Sequence, residues 1–134
     1  MSQENVDRFV EATEAFNRGD VEAWLESTHP DVEWSSAIAR QVEGAQTVWR
    51  GREEVRRFWD EWHSLWDLSI EISDFRDLGD TVVALGGMQI RGKGSGVDLA
   101  QPVGYVVEFD GDLIRKMIAY MDPSEALEAV GLRE

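Results

Sequence analysis

The chain has 134 residues, 43% of them hydrophobic and 30% charged, which is typical of one globular domain and excludes a disordered segment. Its net charge of −14 argues against binding to nucleic acid or to an anionic membrane surface, and the absence of cysteine excludes disulfides and thiolate chemistry. No apolar run approaches the roughly 20 residues that cross a bilayer, and the N-terminus lacks a signal-peptide pattern, so we expect a cytoplasmic protein with a single domain over residues 1–134.

The N-terminal half is predicted to be helical. Apolar residues recur at helical spacing from Val6 to Phe16, and Gly19 and Asp20 end this helix and cap a short second one that carries Trp24. A short strand is predicted at 32–36, after a break at 29–31. A third helix follows the glycine at 51, and its apolar stripe consists of Val55, Phe58, Trp59, Trp62, Leu65 and Trp66.

The second half changes to the alternating pattern of strands. Strands are predicted at about 68–77, 80–92, 98–109 and 112–121, and the glycine-containing turns between them suit hairpins, so the sheet should be mostly antiparallel. A last helix is capped by Asp122 and ends at Gly131. This order predicts an α+β domain in which three helices pack on a curved sheet and leave a cone-shaped ligand cavity.

Several short segments occur in the order found in nuclear transport factor 2-like domains. They are FNRGD at 16–20, HPDVEW at 29–34, WRGREEV at 49–55, GKGSG at 92–96, FDGDLI at 109–114 and ALEAVGL at 126–132. The chain resembles this superfamily and, within it, the SnoaL-like branch, which includes polyketide cyclases and many small bacterial proteins of unassigned function. The resemblance implies a cystatin-like cone with the helices on the concave face, but one such fold hosts many chemistries.

The resemblance also allows known reactions of the superfamily to be compared with this chain. The general base of the ketosteroid isomerases falls near Ser36, and its two oxyanion donors fall near Ala12 and Tyr105. Neither Ser36 nor Ala12 supplies the required group, and the patterns of the cyclases and epoxide hydrolases are not evident. Tyr105 therefore stands as the best single candidate for a catalytic residue, and whether the protein is an enzyme stays open.

The same correspondence, combined with strand alternation, assigns one face of each strand to the cavity. These inward positions are Trp34, Ser36 and Ile38; Val83, Leu85, Gly87, Gln89 and Arg91; Leu99, Gln101, Val103, Tyr105 and Val107; and Arg115, Met117, Ala119 and Met121. The predicted ligand-binding residues are Trp34, Trp59, Trp62, Gln89, Gln101, Tyr105 and Met117. Such a cavity suits a hydrophobic or aromatic small molecule, although the helix stripe also fits plain core.

Histidines are few, and neither points to a metal. His29 is expected in a turn and His63 at the surface of the third helix, and neither has carboxylates at ligand spacing. No metal and no other cofactor is predicted.

Three functions remain open at this point. The first is a small-molecule pocket protein. The second is a cyclase, isomerase or hydratase acting on a polyketide-like or aromatic substrate, with Tyr105 as donor and Glu43 or His29 as base. The third is a non-catalytic protein-binding dimer module, whose cone would be filled by its own side chains.

The outer face of the predicted sheet is unusually apolar, which predicts a homodimer packed through that face. The residues assigned to the outer face are Val82, Ala84, Gly86, Met88, Ile90, Val106, Ile114, Ile118 and Tyr120. The short C-terminal helix is expected to be too small to cover them.

Overall fold

The computed structural model describes residues 2–37, 39–41, 43–94 and 96–132. The helices are α1 (Ser2–Asn17), α2 (Val21–Glu26), α3 (Gly51–Leu65) and α4 (Pro123–Ala129). The strands are β1 (Thr28–Ser35), β2 (Val48–Arg50), β3 (Trp66–Asp77), β4 (Thr81–Gly92), β5 (Asp98–Asp110) and β6 (Leu113–Tyr120). The predicted α+β architecture, with helices in the N-terminal half and a mostly antiparallel sheet, is confirmed. No helix in the described ranges is long and apolar enough to cross a membrane.

The six strands form one sheet in the order β2-β1-β6-β5-β4-β3. All neighbouring pairs are antiparallel except β1 and β6, which run parallel. β2 was not predicted. β1 begins earlier than predicted, because His29-Pro30-Asp31 has the composition of a turn. The parallel β1–β6 pair places Trp34 beside Met117, so the first strand lies between β2 and β6, one strand in from the edge of the sheet.

The helices α1, α2 and α3 cover the inner face of the sheet, where one hydrophobic cluster holds most of the buried side chains. Asn17, at the end of α1, is fastened to β3 by two hydrogen bonds. Its Nδ2 donates to the Ile70 carbonyl at 2.7 Å, and its Oδ1 accepts from the Ile70 N–H at 2.7 Å. These bonds satisfy two backbone groups of an edge strand and hold α1 over the concave side.

The inward face of β4 is opposite to the prediction. Ala84 pairs with Tyr105 and Met88 pairs with Gln101, and directly opposite residues of neighbouring strands share a face. Val82, Ala84, Gly86, Met88 and Ile90 are therefore the inward set, and Val83, Leu85, Gly87, Gln89 and Arg91 point outward. Both sets begin with apolar residues because β4 is buried on both faces, so alternation carried no information about which face was which.

The outer face is partly covered by α4, which packs mainly on β5. Val83 and Val106 are buried beneath Ala126 and Leu127 in a second, smaller hydrophobic cluster. A Cβ at Gly104 would lie 2.7 Å from the Ala126 Cβ, so this glycine allows the helix its close approach.

Two of the residues assigned to the outer face on β5 and β6 are also buried. Ile114 belongs to the inner core, because the β5–β6 register shifts between Glu108 and Phe109. Val106 is covered by α4. The expectation that α4 is too small to cover the apolar outer residues is wrong for this part of the sheet.

β3 carries a bulge between Ile72 and Asp74, and Ile72 pairs with Gly86 of β4. At this point the β3 backbone lies directly over Gly86. A Cβ there would overlap the Glu71 carbonyl oxygen and lie 2.8 Å from the Ile72 Cα. Only glycine permits this approach.

We predict that Gly86→Ala destabilises the protein by about 1–3 kcal/mol or more, because the added methyl group must push backbone atoms apart. Gly87→Ala is the matched control, since a Cβ there would meet only the Gln101 carbonyl oxygen at an ordinary 3.6 Å. Urea unfolding of both variants measures the difference. Equal stabilities would show that the β3 bulge is not constrained by Gly86.

Candidate functional site

An internal cavity of about 50 Å³ lies between the helices and the inner face of the sheet. Its walls are mainly aromatic and aliphatic, in keeping with the many tryptophans of the sequence. The aromatic residues in the lining are Phe9, Phe16, Trp24, Trp34, Phe58, Trp62 and Tyr105. Three methionines, Met88, Met117 and Met121, also line the space.

Two of the polar side chains in the lining are occupied by local hydrogen bonds. The Ser36 hydroxyl accepts from the Ala39 N–H at 3.2 Å, which caps a short 3₁₀ turn. Gln101 Nε2 donates to the carbonyls of Pro102 at 3.0 Å and Met121 at 3.2 Å. Both side chains therefore serve the local backbone.

Tyr105 is different, because its hydroxyl is buried and has no hydrogen-bond partner among the described residues. It lies on β5 between Ala84 of β4 and Ala119 of β6, whose small side chains leave room for its ring. The ring packs against Phe9 and Trp34, with centroids 6.0 and 6.3 Å away. Burial raises the pKa of the Tyr105 hydroxyl, so it stays protonated and is a donor at neutral pH.

Trp34 lies next to Tyr105 in the same wall. It belongs to β1, is 8% exposed, and packs edge-on against Phe58 at a centroid distance of 5.3 Å. Its indole Nε1 is also buried without a partner among the residues described.

One side of the cavity faces an open depression of about 840 Å³ along β3 and the end of α1. Thr13, Ile70, Met88 and Gln101 line both hollows and therefore form the partition between them. Glu14, Asn17 and Glu71 also border the depression, so it is more polar than the cavity.

A sequence profile of the SnoaL-like domain matches residues 6–117, which is most of the chain and includes the helices and strands that form the cavity. The chain belongs to this family. The resemblance stated from the short sequence segments is thereby confirmed. No sequence among curated proteins matches the chain.

Solved structures of the same fold include proteins with bound small molecules. TerC, co-crystallised with polyporic acid, is 19% identical, with a TM-score of 0.78 over 89% of this chain and 92% of that chain. An NTF2-like protein of unknown function from Burkholderia pseudomallei is 21% identical, with a TM-score of 0.80 over 96% and 98%. A protein from Catenulispora acidiphila with a ketosteroid isomerase-like fold, in complex with trimethylamine, is 18% identical, with a TM-score of 0.74 over 93% and 92%.

Most of the predicted ligand-binding residues of this SnoaL-like domain meet at the cavity. Those that line it are Trp34, Trp62, Gln101, Tyr105 and Met117. Trp59 lies behind the wall, packed against Phe16 and Trp24 at centroid distances of 5.1 and 4.9 Å. Gln89 is exposed and borders the open depression, not the cavity, so the expectation that it faces the cavity is wrong, for the reason given for β4.

Other residues that were expected to face the cavity of the SnoaL-like domain do not do so. Arg91 is exposed, and its Nη2 lies 3.5 Å from a carboxylate oxygen of Asp98. Leu99, at the start of β5, is 55% exposed. The Arg115 guanidinium donates to the Asp31 carbonyl at 2.5 Å and does not line the cavity. Ile38 lies outside the described residues.

The lining residues that were not predicted lie on several elements, among them Thr13 on α1, Trp24 on α2, Ile70 on β3 and Met88 on β4. Ala12 also lines the cavity, at the position that the resemblance assigned to an oxyanion donor. Helical spacing was the only available signal for Thr13, and small side chains rarely stand out in such a pattern. Met88 was missed because the β4 face was inverted.

His63 is half-buried, whereas it was expected at the surface of the third helix. Its ring stacks on Trp59 at a centroid distance of 4.1 Å, and its Nδ1 lies 3.0 Å from the Trp59 carbonyl oxygen. Burial lowers the pKa of His63, so the ring is neutral at pH 7 and acts as one more aromatic member of the helix packing.

The suggested bases, His29 and Glu43, are not among the described residues of the cavity wall. His29 Nδ1 accepts from the Asp31 N–H at 2.9 Å, and its Nε2 lies 3.6 Å from an Asp110 carboxylate oxygen. Glu43 is exposed. No group of three or more metal-ligating side chains occurs within the described ranges.

We predict that Tyr105→Phe leaves the free energy of unfolding unchanged or raises it by up to about 1 kcal/mol, because the lost hydroxyl has no partner to forfeit. Tyr120→Phe, on the half-buried outer face, is the comparison and should change stability by less than about 0.5 kcal/mol. Urea unfolding measures both. A loss of more than about 1 kcal/mol in Tyr105→Phe would mean that the hydroxyl is hydrogen-bonded in the free protein.

Proposed function

We propose that this protein binds a hydrophobic or aromatic small molecule in the cavity between its helices and its sheet. The observation that carries the proposal is the Tyr105 hydroxyl, a buried donor without a partner beside an aromatic cavity. A buried polar group of this kind costs about 1–3 kcal/mol when it is unsatisfied. A ligand with an acceptor atom would remove that cost, whereas an ordinary core residue at this position would be phenylalanine.

The cavity is small, and this determines how binding must occur. A cavity of about 150 Å³ in another protein binds benzene, and the space present here is roughly a third of that. Under this proposal the site must open before a ligand of that size can enter. Met88, Met117 and Met121 are the side chains best suited to move, because unbranched thioethers change rotamer at low cost.

Two related proteins support a small-molecule function. TerC was co-crystallised with polyporic acid, and the Catenulispora acidiphila protein was solved in complex with trimethylamine. Polyporic acid and trimethylamine are ligands of those two proteins and are not assigned to the present chain. For the present chain the shared fold supports only the location of the pocket, and the aromatic wall supports an apolar ligand.

The catalytic alternative, a cyclase, isomerase or hydratase, would need an acid or base at the reacting atoms. Tyr105 supplies a donor, but the described lining residues include no carboxylate and no histidine. Binding is therefore the better-supported function. The protein-binding alternative would have a completely filled cone, and it is an outcome of the test below.

The test uses acetophenone, a small neutral aromatic ketone, titrated into the protein by isothermal calorimetry. Ala12→Leu places a larger side chain in the lining, whereas Ala15→Leu makes the same change one turn later on α1, in the core but away from the cavity. Both variants should lose about 1–3 kcal/mol of stability through overpacking. Only Ala12→Leu should weaken acetophenone binding, by about tenfold or more.

Equal losses of affinity in both variants would show that acetophenone does not occupy this cavity. Wild-type protein that shows no saturable binding would contradict the proposal and favour the protein-binding module.

We also propose that the protein is a homodimer through the outer sheet face. Fewer apolar residues are available for this contact than the sequence suggested. Beside α4, Leu85, Ile118 and Tyr120 remain partly exposed on that face. They form the apolar surface that α4 leaves partly uncovered, and a twofold contact there would bury it in both subunits.

Ile118→Lys should shift the protein from dimer to monomer in sedimentation velocity at micromolar concentration, because it places a charge in the contact. Gln3→Lys, at an exposed position of α1, adds the same charge and should leave the dimer intact. A wild-type monomer would refute the dimer.

A further inference from the structure

Two buried donors stand side by side in the cavity wall. Trp34 Nε1 and the Tyr105 hydroxyl each lack a partner among the described residues, and both side chains line the same space. Their rings are stacked, with centroids 6.3 Å apart and planes inclined by 28°. One ligand that enters the cavity can therefore meet both residues.

The two polar groups of the wall that lack a partner among the described residues, Trp34 Nε1 and the Tyr105 hydroxyl, can both donate, and the indole N–H can only donate. The Gln101 amide nitrogen is bound to backbone carbonyls, and the Ser36 hydroxyl accepts from the Ala39 N–H. An acceptor atom on the ligand can therefore satisfy both unpartnered groups at once, which a group that only donates cannot do.

Charge also restricts the ligand. The described lining residues include no lysine, arginine or histidine, and the chain has a net charge of −14. A carboxylate would have to lose its hydration with no counter-charge in the wall, which is strongly unfavourable in an apolar cavity. The acceptor that suits this site is therefore neutral.

We propose that the Trp34 indole N–H is a second ligand-binding donor beside Tyr105, and that together they select a neutral carbonyl-type acceptor on the buried end of an aromatic ligand. This inference rests on the proposed function. It assigns to Trp34 a role in specificity, beyond its apolar contact area.

A buried indole N–H without a partner does not by itself make a residue a ligand-binding one. Trp49 provides a matched control for Trp34 within the same chain. Trp49 is 3% exposed, and its Nε1 is equally without a partner in the described part of the chain. It pairs with Trp34 across β1 and β2, but it does not line the cavity. Trp49→Phe therefore removes the same chemical group one strand further from the proposed ligand.

The experiment titrates acetophenone, ethylbenzene and benzoate into ¹⁵N-labelled wild-type, Trp34→Phe and Trp49→Phe proteins and follows the indole N–H resonances. In the wild type we expect acetophenone, but not ethylbenzene, to shift the Trp34 resonance downfield. Benzoate should bind at least about tenfold more weakly than acetophenone. The Trp34→Phe spectrum assigns the resonance by its absence.

The affinity of acetophenone relative to ethylbenzene cancels the difference in their hydrophobicity. We expect this ratio to fall about tenfold in Trp34→Phe and to stay within about twofold of wild type in Trp49→Phe. An unchanged ratio in Trp34→Phe, or a wild-type Trp34 resonance that acetophenone does not move, would overturn the inference while leaving the proposed function intact. If neither neutral compound binds, the proposed function fails and the inference fails with it.

Discussion

The close approach of β3 to Gly86 is the constraint on which the site depends. The bulge between Ile72 and Asp74 brings the β3 backbone onto a residue without a side chain, and a bulge of this kind bends the strand that carries it. A bent sheet has a concave face that the helices can cover without touching it everywhere. The cavity is the space that remains between the helices and the sheet. The two hydrogen bonds between the Asn17 side chain and the Ile70 backbone hold α1 over it.

The chemistry of the cavity comes from aromatic donors inside an otherwise apolar wall. Tyr105 occupies its place because Ala84 and Ala119 flank it, and Trp34 reaches it because β1 joins the sheet beside β6. Ser36 and Gln101 are occupied by the backbone, so the two aromatic residues hold buried donor groups without partners in the described structure. Because the cavity is small, a ligand of the proposed kind would reach these donors only when the wall opens.

Much of the fold could be predicted from the sequence because its signals are local. Asp20 and Asp122 cap their helices through their own side chains, and the glycine turns join the hairpins as expected. The face of β4 could not be predicted, because α4 buries its second face and makes both faces apolar. Gln89 was misplaced for this reason, whereas Tyr105 and Met117 line the cavity as the family correspondence combined with strand alternation predicted.

The most direct test of a ligand site centred on Tyr105 is a high-resolution crystal structure of the protein with acetophenone. We expect the aromatic ring to occupy space now filled by the methionine side chains of the cavity wall. The ketone oxygen should lie within hydrogen-bonding distance, about 2.5–3.0 Å, of the Tyr105 hydroxyl. A structure in which the cone stays closed, and the Tyr105 hydroxyl is bonded to another group of the protein, would contradict it.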